Sequence, residues 1–262
     1  MSDRLDIRSF TVGPVQENTY IVRPAGSARA LLIDPGEEPE RLRRAIEELD
    51  AKIEAILITH CHFDHIGAVA PLARATGAPV YCPEIERPVL ADIMRFVPFE
   101  GFGPYESYEA DHTLAGGEQL SLAGLDIDVL FTPGHSPGHL TYAIAPAAAA
   151  GEAGTPSGAV GGAGAGAGGS DAARARALLS GDVLFQGSVG RTDLPGADWP
   201  TLERSLAQLV DSFPPETVVH PGHMSATTLA RELATNPFLE QLRAPRQPEP
   251  VPAAPLRSPD GR

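Results

Sequence analysis

Thr59-His60-Cys61-His62-Phe63-Asp64-His65 packs three of the chain's eight histidines and one carboxylate into a seven-residue stretch. It directly follows Ala55-Ile56-Leu57-Ile58, a short and wholly apolar run of the kind that forms a strand buried on both faces. The histidines therefore fall on a loop at a strand's C-terminal end, where a rigid edge lets ligand side chains converge. Neutral imidazole and carboxylate are the donors that borderline metals such as zinc prefer. On an extended backbone His60 and His62 point to the same side and can share one ion. Asp64 continues that alternation, while His65 begins a helix and can turn toward a second ion. A polar loop capped by Asp64 would account for one of these four residues and leave the other three without a reason.

Outward from this loop, the chain alternates strand-like and helix-like stretches. Leu5–Val12, Asn18–Val22 and Ala30–Ile33 read as strands, the last closed by the turn Asp34-Pro35-Gly36. Glu38–Leu49 carries Leu42, Ile46 and Leu49 at helical spacing and predicts a helix, as does Ile66–Thr76 before Gly77. Further strands are expected around Val80 and over Glu118–Leu122, Leu125–Phe131, Leu140–Ala145, Leu178–Phe185 and Thr217–Val219. Thr201–Phe213 and Ser225–Leu233 read as helices. Strands interleaved with helices in both halves predict a layered α/β protein with helices outside two sheets. Two stretches break the pattern. Residues 146–173 are nearly all Ala, Gly, Ser and Pro and lack the large apolar side chains that offset ordering entropy, so a flexible surface insertion is expected. Residues 244–262 hold many prolines and read as an extended tail. One domain over 1–243 follows.

Composition narrows the function. The 262 residues hold 20 Lys+Arg against 34 Asp+Glu, a formal charge of −14, which disfavours nucleic-acid backbones and anionic membrane surfaces as partners. No apolar run reaches spanning length. The opening MSDRLDIRSF has no apolar stretch of signal-peptide type, so a cytoplasmic location is expected. Two cysteines, Cys61 and Cys82, make no disulfide framework. Oligomeric state is not encoded in any of these features.

More candidate ligands recur beyond apolar runs and beside Gly or Pro, which permit tight turns. They are His135 in Thr132-Pro133-Gly134-His135, Asp182 in Ser180-Gly181-Asp182, and the pair His220 and His223 in His220-Pro221-Gly222-His223. His60-Cys61-His62-Phe63-Asp64-His65 resembles the HxHxDH signature of the metallo-β-lactamase superfamily, with the later motifs in the expected order. Gly190-Arg191-Thr192-Asp193-Leu194, Pro221-Gly222-His223 and Thr235-Asn236-Pro237-Phe238-Leu239 resemble the small bacterial glyoxalase II-like hydrolases. The resemblance spans about residues 5 to 240 apart from the Ala/Gly insertion. It implies a four-layer αββα sandwich with two mixed sheets flanked by helices. It implies further that His60, His62 and His135 hold one divalent ion, that Asp64, His65 and His223 hold a second, and that Asp182 bridges them. Zinc is the expected metal, with iron or manganese as alternatives. His220 is expected to pack at the strand end, His139 to support the site, His112 to be structural, and Cys61 to be a packed or partly exposed side chain.

Two cations about 3.5–4 Å apart yield a hydroxide nucleophile near neutral pH and stabilise the oxyanion of an attacked carbonyl. Asp64 and Asp182 are the catalytic candidates, the first orienting the nucleophile and the second fixing the spacing. The resemblance implies a small-molecule thioester substrate such as S-D-lactoylglutathione or another acyl-thiol. Longer glyoxalase II enzymes carry basic glutathione-binding residues on a C-terminal helical domain. Here only about forty residues follow His223 and the single lysine is Lys52. Arg191 is a candidate for an anionic substrate, or else a structural partner of Asp193 or Asp198. The alternatives are a lactone or ester hydrolase, a mononuclear-iron persulfide dioxygenase sharing the fold, and a metal-binding scaffold without activity. Replacing residues 146–173 by a short Gly-containing turn is expected to leave folding, metal content and turnover intact, because doubling a flexible loop costs only about 0.6 kcal/mol in closure entropy. Loss of metal or of the folded state on that deletion would contradict it.

Overall fold

A computed structural model describes residues 4–97, 100–147 and 176–243. Period-two alternation of apolar side chains organises them into four layers. The first sheet runs, in spatial and chain order, through β1 (Leu5–Val12), β2 (Glu17–Pro24), β3 (Arg29–Ile33), β4 (Lys52–Leu57), β5 (Val80–Pro83) and β6 (His112–Leu114). β1, β2 and β3 are antiparallel neighbours, whereas β3 to β6 pair in parallel, so the sheet is mixed. Helices α1 (Pro39–Glu48) and α3 (Val69–Thr76) lie in the β3–β4 and β4–β5 crossovers, with the short helix α2 (Phe63–Ile66) just after β4. Two more short helices, α4 (Arg87–Ala91) and α5 (Ile93–Phe96), follow β5.

The second sheet uses β7 (Gln119–Leu122), β8 (Leu125–Phe131), β9 (Leu140–Pro146), β10 (Ala177–Gly181), β13 (Val218–Pro221) and β14 (Thr227–Thr228) in the order β14-β13-β10-β9-β8-β7. Only β10 and β13 are parallel; the other neighbours are antiparallel. The hairpin β11 (Leu184–Phe185) and β12 (Ser188–Val189) and the helices α6 (Trp199–Ser212) and α7 (Leu229–Thr235) complete this half.

Alternate residues of each strand serve different layers, because successive side chains on a strand point to opposite faces. Tyr20, Val22, Leu31, Ile33, Ala55 and Leu57 face inward against Ile127, Val129, Leu140, Tyr142 and Ile144 of the second sheet. Their neighbours Ile21, Leu32, Ile56 and Ile58 face outward onto Leu42 and Ile46 of α1 and Val69 and Leu72 of α3. On the opposite side Ala143, Leu178 and Val219 pack on Leu202, Leu206 and Leu209 of α6 and Leu229 of α7. Helix, sheet, sheet, helix is the expected αββα sandwich with two mixed sheets.

The differences from expectation are local. The predicted strand Leu178–Phe185 breaks after Gly181, which sits at φ +46°, and Asp182 leaves the ladder there. The predicted helix Ile66–Thr76 divides into the end of α2 and the whole of α3, and α2 already starts at Phe63, so Asp64 lies inside a helical turn rather than continuing an extended alternation, while His65 is helical as expected. Helix α6 starts at Trp199, two residues early, because the Asp198 carboxylate accepts a hydrogen bond from Thr201 N and caps it. The predicted helix Ser225–Leu233 begins only at Leu229, where the Thr228 hydroxyl caps α7 after β14 has paired with β13. The expected insertion over 146–173 starts one residue too early, since Pro146 is still part of β9 opposite Leu125; residues 148–173 and the expected tail 244–262 lie outside the described residues.

The two sheets are tied together beside the histidine loop. Tyr142, fully buried on β9, donates its hydroxyl to Ile58 O at 2.7 Å, at the end of β4. Leu140 N donates to Thr59 O at 2.8 Å one residue further on. Tyr142→Phe removes a buried donor from between the sheets and is expected to cost about 1–3 kcal/mol of stability, read from urea unfolding of the two proteins. An unchanged midpoint would show that this tie is not needed.

Candidate metal centre

Every candidate ligand comes from the end of a strand at one edge of the sandwich. His60 and His62 follow β4, Asp64 and His65 belong to α2, His135 lies on the β8–β9 loop, Asp182 follows β10, and His223 follows β13. Their donor atoms form overlapping groups within 4.8 Å: His60, His62 and His135; His60, His65 and Asp182; and Asp64, His65 and His223. His62 Nδ1 lies 3.1 Å from His60 Nε2 and 2.9 Å from His135 Nε2. Asp182 stands between the groups, with Oδ1 3.4 Å from His65 Nε2 and Oδ2 3.5 Å from both His135 Nε2 and His223 Nε2. His223 Nε2 is also 3.3 Å from Asp64 Oδ2.

Neighbouring acceptors decide which ring nitrogen of His60, His65, His135 and His223 faces inward. His135 Nδ1 donates to Arg191 O at 2.9 Å and His223 Nδ1 to Gln16 O at 3.2 Å, which turns both Nε2 atoms toward the cluster. Asp34 organises the other end. Its Oδ1 accepts Thr59 N at 2.7 Å, and its Oδ2 accepts both the Thr59 hydroxyl at 2.6 Å and His65 Nδ1 at 3.0 Å. Since the Thr59 hydroxyl proton is committed to Asp34, its oxygen is free to accept from His60 Nδ1 at 3.1 Å, which turns His60 Nε2 inward.

Electrostatics divide the cluster in two. Burial pushes His60 well below the ordinary imidazole range and, with repulsion from His135, lowers His62 to about 4. These two rings are neutral and present lone pairs. Burial also works against charge on His65, but Asp182 and Asp64 outweigh it and raise that imidazole well above its ordinary value. His223 is likewise pushed up to about 10, burial being overcome by hydrogen bonds to Asp182 and Asp64. Burial opposes ionisation of Asp182 too, yet His65 and His223 hold it well below the usual carboxylate range. This carboxylate-rich half is a well for positive charge. Asp182 Oδ1 and His65 Nε2 are buried and make no hydrogen bond with any described residue. Buried polar atoms rarely stay unpaired, so the donor set fits divalent cations at these positions.

The backbone is shaped around Asp182. A Cβ on Gly222 would lie 2.2 Å from Asp182 Oδ1 and 2.6 Å from His65 Cε1, so only glycine fits before His223. His139, fully buried, accepts Asp182 N at 3.0 Å on its Nε2, which places it behind the cluster rather than in it. His220 stays outside every candidate group and stacks edge-on against Tyr20 at 5.7 Å, as expected for a packing residue. His112 is exposed against Tyr81. Cys61 is buried rather than partly exposed, its Sγ 3.5 Å from Cys82 Sγ. Arg191 pairs with Asp193 through two short hydrogen bonds of 2.6 and 2.7 Å on the surface, the structural alternative of the two expected for it. Sequence reading passed over Asp34 and Thr59 as site residues. The Asp-Pro-Gly turn that marks the end of β3 was the available signal for the first.

Residues 12–157 match the metallo-beta-lactamase superfamily model. The chain is 34% identical over 237 residues to the probable metallo-hydrolase YqgX of Bacillus subtilis, covering 88% of this chain and 96% of that protein. It is 30% identical over 248 residues to the hydroxyacylglutathione hydrolase GloC of Haemophilus influenzae, covering 90% and 98%. The crystal structure of TTHA1623 in a di-iron-bound form matches with TM-score 0.62 and 39% identity, covering 88% of this chain and 100% of that one.

If the partition of ligands is as the geometry groups them, His223→Ala lowers bound metal toward one ion per chain, whereas His220→Ala leaves it near the wild-type value. Elemental analysis of both purified variants checks this, and equal metal loss in the two would refute the assignment of His223. With this donor set and these relatives, the chain belongs to the metallo-beta-lactamase superfamily.

Proposed function

We propose that this metal-dependent hydrolase cleaves thioesters, with S-D-lactoylglutathione or a related acyl-thiol as substrate. The observation that carries the proposal is the pair of donor groups meeting at Asp182, with His60, His62 and His135 on one side and Asp64, His65 and His223 on the other. Two divalent cations held there, zinc in our proposal and iron or manganese as alternatives, would supply an activated water and polarise the scissile carbonyl. The protein supplies orientation. Asp182, braced by the His139 hydrogen bond to its backbone, would set the separation of the two positions. The side chains of Asp64 and His223 retain 13% and 21% exposure and His62 is also partly exposed, whereas His60 and His65 are sealed, so substrate would approach over His62, Asp64 and His223. Asp64 stays ionised there, because the pull of His65 outweighs its burial, and its carboxylate would accept a hydrogen bond from the attacking water.

A relative named as a hydroxyacylglutathione hydrolase, matched over nearly its whole length, supports an acyl-thiol substrate. The Arg191–Asp193 pairing leaves the nature of the thiol carrier to experiment, and the cytoplasmic placement belongs to the same proposal. No described helix is long and apolar enough to cross a membrane.

Turnover of S-D-lactoylglutathione, other acyl-thiols, a simple lactone, a β-lactam and, with oxygen uptake, a persulfide tests the assignment on one metal-loaded preparation. The expected result is two metals per chain and a kcat/KM for an acyl-thiol at least about tenfold above the lactone and β-lactam, a difference of about 1.4 kcal/mol in transition-state stabilisation. Chelation abolishes that activity and added divalent metal restores it. One iron per chain with stoichiometric oxygen consumption would replace the hydrolase by a dioxygenase.

A further inference from the structure

Glu86 is a buried acid that no step above uses. It sits at the end of a 3-10 turn (Glu84–Glu86) after β5, with 5% of its surface exposed. Its Oε2 accepts Cys61 N at 2.5 Å, and its Oε1 accepts Gly138 N at 2.8 Å and the Ser136 hydroxyl. Cys61 lies between His60 and His62, while Ser136 directly follows His135. One carboxyl group therefore joins the two loops that supply the three-imidazole group, and it reaches them from a third segment of the chain. The approach is close on all sides: a Cβ on Gly138 would lie 2.7 Å from Glu86 Cγ and 3.1 Å from its Oε1.

We propose that Glu86 is a positioning residue for the first metal position, clamping the His60–His62 loop to the His135 loop so that their three nitrogens converge. The inference rests on the reading that this trio holds an ion. Glu86 touches none of the three rings. It acts on the Cys61 backbone N–H between two of them and, on the other loop, on the Ser136 hydroxyl and Gly138 N–H that follow His135, which fixes where the rings begin rather than how they turn. His60 and His135 already have their ring orientation set by Thr59 and Arg191, so the separation between the loops is what the carboxylate adds. A glutamine cannot replace it, because its NH2 would face a donor and release either Cys61 N or the Ser136–Gly138 side.

The test titrates metal-free wild type, Glu86→Gln and Ser136→Ala with Zn2+ against a chromophoric chelator, alongside thermal unfolding of the metal-free proteins. Glu86→Gln is expected to weaken one of the two binding events by about 10–100-fold, the usual effect of losing a partner behind a metal ligand, and to spare the other. Ser136→Ala, which removes one hydrogen bond and adds no bulk, is expected to weaken the same event less. It carries the test if Glu86→Gln does not fold. A lower metal-free Tm with both zinc affinities unchanged would reduce Glu86 to general structural glue and overturn the proposal. Wild type that binds no zinc in this assay would instead overturn the metal-centre reading itself.

Discussion

A carboxylate buried among imidazoles sets the terms for the rest of this molecule. Asp182 is 6% exposed and lies within 3.5 Å of His65, His135 and His223, each brought by a different segment. Removing a charged carboxylate from water is costly unless opposite charge or hydrogen bonds compensate it. The compensation here comes from three other segments at once, one following a strand of the first sheet and two following strands of the second, so both sheets must meet at this edge in one register. Asp34, Thr59, His139 and the close approach of Gly222 all serve that meeting. The apolar layers make the sandwich stable, but the polar edge dictates how one sheet sits on the other.

β2 is the brace between them on the His223 side. Asn18 N donates to Gly222 O at 2.7 Å, and its side-chain amide donates to Pro221 O and Met224 O. The Tyr20 hydroxyl donates to Pro221 O at 2.7 Å. Gln16 and Met224, on either side of His223, hold φ values of 59° and 68°, a left-handed backbone that non-glycine residues adopt at a cost. Their carbonyls each accept a hydrogen bond from this brace or from His223 itself. The strain is thus retained where it aims a candidate ligand.

The parts legible in the sequence were those written locally. β8 has the same limits in sequence reading and structure, because the alternation of Leu125, Ile127, Val129 and Phe131 over seven residues is a complete signal in itself. All seven expected ligands meet at one edge, since each motif combined an apolar strand with a turn and a donor. What escaped was long-range or too short to have a period. The segment 84–96 folds into helical pieces of three to five residues, less than two turns each, so no amphipathic repeat could show. Asp34 acts on Thr59 and His65, 25 and 31 residues away, and His139 acts on Asp182 across 43. Only the topology of two sheets brings such pairs together. Leu178–Phe185 looked like one strand because Leu178-Leu179 and Val183-Leu184-Phe185 are apolar on both sides of the short break Ser180-Gly181-Asp182.

The pairing of β9 with β10 has a consequence for how the chain can be rearranged. β9 leaves the polar edge at Leu140, beside Thr59, and β10 returns to it at Gly181, with Ile144 opposite Ala177. Six steps of about 3.4 Å each put Pro146 about 20 Å from Leu140 at that edge. Pro146 and Ala177, where the two strands meet the connection, therefore lie at the far rim, away from the strand ends that carry the candidate ligands. New chain termini opened there would cut neither half of the candidate ligand cluster from its own strand ends. The point is a natural one for circular permutation, or for seating a reporter whose position is read out through β9 and β10 while the chemistry stays at the opposite rim.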